Sequence, residues 1–65
     1  MEDLDVWRAA KLLIDRHGAE SRLQADMRID ELTEDGDEEG AAVWRKIKQA
    51  ILELQSPPGP EDKLN

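Results

Sequence analysis

The chain contains no cysteine, no phenylalanine and no tyrosine, and a single histidine among 65 residues. The missing cysteine excludes disulfides and thiolate zinc sites. With one His, a protein metal site would have to rest on carboxylates. No apolar run approaches the ~20 residues of a membrane span. Cations are also scarce: nine Lys and Arg face sixteen Asp and Glu, for a net charge of −7. Sequence-independent nucleic-acid binding needs basic groups that release counterions, so nucleic acid is not expected as a partner, nor is an anionic membrane. The segment Met1-Glu2-Asp3-Leu4-Asp5 is acidic, the wrong sign for a leader peptide. Together these absences point to a cytoplasmic protein with no cofactor.

What remains is 38% hydrophobic and 38% charged, rich in helix formers, and too apolar for a disordered chain. A chain of this length buries only about 60% of its unfolded surface and is marginal alone. Natural proteins of this size often add a disulfide, a metal or a partner chain. Charge is spread unevenly: residues 1–20 carry −2, residues 21–40 carry −6, residues 41–55 carry +2, and the rest −1.

Gly36-Asp37 is the clearest punctuation. Gly36 suits the left-handed position that ends a helix, and Asp37 can cap the next one, with Glu38 and Glu39 complementing its dipole. The following helix covers about 37–55. It ends before Ser56-Pro57-Pro58-Gly59-Pro60, which forbids continuation. Residues 1–55 therefore form one helical domain and 56–65 read as a Pro-rich disordered tail. The second helix is amphipathic: Gly40, Val43, Trp44, Ile47, Ile51 and Leu54 share one face.

On a continuous helix, Trp7, Ala10, Ile14, Gly18, Ser21, Ala25 and Leu32 fall within about 40° of one line. That phase survives passage through His17-Gly18, and it predicts one long helix over about 3–35, with Gly18 as the point of a kink or break. The expected fold is all-α: an antiparallel helical hairpin with Ala25, Leu32, Val43, Trp44, Ile47, Ile51 and Leu54 as its core. The alternative is a monomeric three-helix bundle, since His17 followed by Gly18 is also a common helix ending. In the long-helix form the first helix runs ~50 Å and the second ~28 Å. Trp7 and Ile14 then overhang the hairpin, and a second stripe, Ala9, Leu12, Ala19, Leu23 and Met27, is left uncovered. A homodimer with a four-helix arrangement closes both gaps.

Candidate chemistry is thin. Asp35, Asp37 and Glu39 alternate as in the first half of a calcium loop, but Lys46 stands where the bidentate carboxylate belongs. A solvated helix start explains the same residues. His17, with Asp15, Glu20 and Ser21 nearby, makes only a nominal triad, because neighbours two apart on a helix face different ways. No catalytic, cofactor or metal residues are expected, and no enzyme. Trp7 and Trp44 are possible binding anchors, with core packing as the plainer reading. Arg45, Lys46 and Lys48 lie across the hairpin from Asp26 and Asp30, which predicts mutual neutralisation.

The run Leu13-Ile14, His17-Gly18, Ala25, Arg28, Asp30, Leu32, Gly36-Asp37, Gly40, Val43-Trp44, Ile47, Ala50-Ile51 and Leu54 resembles a family of small bacterial helical proteins built on a domain of unknown function. It spans about residues 7–54. Ser21 and Ile29 depart from the pattern, which expects Ala there. The resemblance implies no activity, ligand or catalytic residue. Two functional readings follow from the residues. The first is a non-enzymatic structural or protein-interaction module acting through helix faces, as a homodimer, with Trp7, Leu12, Ile14, Leu23 and Met27 as contacts. The second is an acidic regulatory binder, inhibitor- or antitoxin-like, that docks on a basic protein partner through an acidic turn and helix face centred on Asp26, Asp30, Glu31, Glu34 and Asp35.

Overall fold

The computed structural model describes residues 3–55, so the tail expected over 56–65 lies outside the described residues. Helix α1 spans Asp3–His17, a 3₁₀ turn covers Gly18–Glu20, α2 spans Ser21–Glu34 and α3 spans Glu38–Gln55. The described residues contain no strand.

The α2–α3 turn is closed almost entirely by local bonds. Gly36 adopts φ +80°, a left-handed conformation that costs a side-chain-bearing residue about 1–2 kcal/mol. Its N–H donates to the Thr33 carbonyl at 3.1 Å, and the Asp37 N–H donates to the Leu32 carbonyl at 2.8 Å. This pair of reversed bonds is a Schellman motif, which satisfies carbonyls that the end of α2 would otherwise leave open. Asp37 then starts α3: its Oδ1 accepts the Gly40 N–H at 2.9 Å. A Cβ at Gly40 would stand 2.5 Å from Asp37 Oδ2, so a side chain there would push the capping carboxylate aside.

Across the hairpin, Lys48 Nζ meets Asp26 Oδ1 at 2.7 Å, the neutralisation expected from the charge pattern. Farther from the turn, Gln55 Nε2 donates to the Gly18 carbonyl at 2.8 Å.

The long first helix is corrected by the structure. The chain breaks at Gly18, where φ is +56°, and α1 turns back onto α3. Val6 and Ala10 join Ala25, Ile47, Ala50 and Ile51 in one buried cluster, with Ala9, Leu13, Ile14, Val43 and Trp44 packed partly against it. Ile14 therefore does not overhang the hairpin. The reason is energetic. Burying side chains such as Val6 is worth about 1.5–3 kcal/mol each, more than the cost of ending a helix at a glycine that accepts a positive φ. Small Ala10, Ser21, Ala25, Ala41 and Ala50 let the backbones approach, and Ile51 is the largest fully buried side chain.

Leu54 is a second correction. It lies on the apolar face of α3 but is 49% exposed, because the buried cluster ends one turn earlier at Ile51. Leu32, Val43 and Trp44 are half-buried rather than central, whereas Ala25, Ile47 and Ile51 are buried.

Candidate functional site

The break at Gly18 positions the most suggestive surface feature. With α1 turned back, Leu13 faces the same space as Gln24, Met27 and Arg28 of α2 and Trp44 of α3. The three helices leave an open groove of ≈ 520 Å³ there, with Asp30 and Glu31 also on its wall. Leu13, Met27 and Trp44 make its surface mainly apolar. Met27 is 53% exposed, and Leu12 and Leu23 are exposed elsewhere on α1 and α2 at 54% and 55%.

The groove's charges are only partly neutralised. Arg28 Nη1 lies 3.3 Å from Glu31 Oε1, one helical turn along. Such solvent-exposed pairs are weak and screened by salt. Asp30 takes part in neither of the ion pairs found among the described residues.

The expected interaction residues therefore divide. Met27, Asp30 and Glu31 come together at the groove, while Ile14 is packed against the core. Asp26 pairs with Lys48 across the hairpin and does not line the groove. Trp7 lies apart, 39% exposed, beside a shallower hollow shared with Asp3, Lys46, Gln49 and Glu53.

Two residues that matter were not singled out by periodicity. Val6 is buried and Leu13 lines the groove. The signal was present: Val6, Ala10, Leu13 and Ile14 recur at helical spacing when α1 is read by itself. Carrying one phase through Gly18 moved the inferred face toward Trp7.

The remaining polar groups are committed to structure. Ser21, fully buried, donates from Oγ to the Gly18 carbonyl at 2.8 Å. His17 is exposed at the end of α1. Asp37, the centre of the calcium-like run, spends one carboxylate oxygen on its cap. Among the described residues no three His, Asp or Glu side chains converge on a point suited to a metal ion. Nor is any described helix long and apolar enough to cross a membrane. Compared with protein-family models, curated proteins and solved structures, the chain matches none.

Proposed function

We propose that this protein is a non-enzymatic interaction module whose groove between α1, α2 and α3 receives a basic, amphipathic helix of a protein partner. The carrying observation is the apolar lining of exposed Met27 and half-buried Leu13 and Trp44 beside Asp30 and Glu31. An apolar groove accepts the hydrophobic stripe of a helix, and the two acids beside it, set against the single lining cation Arg28, select cations on that helix's flanks. Charge favours this occupant over the same face of a second copy, since each copy brings a net charge of −7. Of the two readings drawn from the residues, docking on a basic partner is thus the better supported. Of the residues that suggested homodimerisation, Ile14 packs within the chain, while Trp7, Leu12, Leu23 and Met27 stay exposed.

The test uses a designed Lys/Leu amphipathic peptide of about four helical turns, and a Glu/Leu counterpart. Binding is followed by Trp44 fluorescence in a Trp7→Phe background. The Lys peptide is expected to bind and to weaken as salt is raised. Replacing Asp30→Asn and Glu31→Gln together should reduce affinity roughly tenfold, about 1.4 kcal/mol. The control pair Glu38→Gln and Glu39→Gln, at the start of α3, should change it less than about twofold. Equal losses from both pairs would mean diffuse charge attraction and no groove. Equal binding of the Glu peptide would reject the basic partner.

A further inference from the structure

The break between α1 and α2 has an unusual property. On a continuous helix, Ala10, Ile14, Gly18, Ser21 and Ala25 would share one line, although the chain does not form that helix here. The departure from helical geometry is confined to a few residues. His17 (φ −114°, ψ −11°) and Glu20 (φ −91°, ψ 0°) keep negative φ, and Ser21 is helical at φ −60°, ψ −37°. Only Gly18, at φ +56°, crosses to the left-handed side.

Little side-chain packing fixes that glycine. A Cβ placed on it would meet nothing within 4 Å. The turn is held through the Gly18 carbonyl, which accepts from the Ser21 N–H, from Ser21 Oγ and from Gln55 Nε2. Meanwhile the buried residues of α1, Val6 and Ala10, sit in a cluster with Ile47, Ala50 and Ile51 of α3. Every other copy of the chain carries the same α3 surface.

We infer that two copies of this chain exchange their α1 helices, each straightening through Gly18 into one helix over about 3–34. Such an exchange is isologous: α1 of each copy packs on α3 of the other, so the assembly closes at two chains. It keeps the kind of contact that α1 makes with α3 and exchanges the Gln55 bond to Gly18 for a straightened joint, so the acidic faces need not be pressed together. The exchange does not depend on what the groove binds. It would, however, place Leu13 from one copy beside Met27 and Trp44 of the other, giving two composite grooves per dimer.

The experiment is sedimentation equilibrium on the full chain, refolded at dilute and at high concentration, for the unsubstituted protein, Gly18→Ala and Gly36→Ala. Alanine resists a positive φ and favours a helix interior, so Gly18→Ala should raise the dimer association constant at least about tenfold. Gly36→Ala carries a similar backbone penalty without lying at the hinge and should not. Spin labels at Asp3→Cys and Glu34→Cys, diluted with unlabelled chain, then report the intrachain distance. A straightened helix places their backbones ~46 Å apart, well beyond the folded-back form. Should Gly18→Ala fail to fold, Gln55→Ala, which removes the remote bond to the hinge, is expected to raise dimerisation instead. Dimers that keep the short distance, or monomers throughout for the parent and for whichever hinge variant folds, would overturn the exchange.

Discussion

Two glycines with positive φ end helices in this chain, and the means by which each is held differ. Around Gly36 every partner lies nearby in sequence: Leu32 and Thr33 carbonyls behind it, Asp37 and Gly40 ahead. Gly18 is held partly by Ser21, three residues on, and partly by Gln55, 37 residues away. The first joint is complete once its own few residues have assembled. The second depends on α3 being in place and on α1 finding it. Similar backbone conformations therefore have different causes, one local and one tertiary.

The largest expected effect comes from removing the core on which both joints rest. Ile51→Ala should destabilise the fold by about 2–5 kcal/mol, measured by chemical denaturation. Total stability for a chain of this size is about 3–10 kcal/mol, so this variant should be largely unfolded at modest temperature. If it melts like the parent, the shared core is misplaced and the comparison between joints loses its basis.

The two joints are then separated by their caps. Asp37→Ala should cost about 1 kcal/mol through loss of the N-cap bond to Gly40. Gln55→Ala should cost about 0.5–1.5 kcal/mol through loss of the bond to Gly18. The informative quantity is where each loss is felt. Amide exchange should speed in the first turn of α3 for Asp37→Ala, and along α1 for Gln55→Ala. Loss of protection confined to the last turn of α3 in Gln55→Ala would show that the remote bond does not hold α1.

The smallest expected effect is at Gly40. Alanine gains up to about 1 kcal/mol of helix propensity but crowds the Asp37 carboxylate, losing a cap of similar worth, so Gly40→Ala should leave the melting midpoint nearly unchanged. In an Asp37→Ala background the same substitution should stabilise, since nothing remains to be crowded. A double-mutant cycle in denaturant reads the difference.

This contrast explains what could be read from residues alone. Gly36-Asp37 carries its own chemistry, and the turn, the start of α3 and its amphipathic face are all local statements. At Gly18 the local signals supported two answers, and the choice lay with Val6 and Ala10 packing on Ile47, Ala50 and Ile51. Periodicity cannot weigh such contacts, because their partners lie some forty residues away. The face of α3 was legible and its covered length was not: Leu54 shares the stripe, but the packing stops at Ile51. The groove was hidden for the same reason. Met27, Asp30 and Glu31 stood out in the sequence, but the lining needs Leu13, which reaches it only because α1 turns back.

The hydrogen bond from Gln55 to the Gly18 carbonyl also bears on the order in which the molecule assembles and loosens. Contacts between α2 and α3 close a short loop through the Gly36 turn, whereas α1 must close a loop that contains the whole hairpin. Longer loops cost more entropy and their contacts form later. The hairpin is thus the part able to organise first, and α1 docks on a surface already formed, with Gln55 meeting the joint as it closes. The reverse journey makes α1 the lowest-lying opening of the native state. Because Leu13 leaves with it, each opening also dismantles the wall of the groove, so occupancy of the groove and docking of α1 rise and fall together.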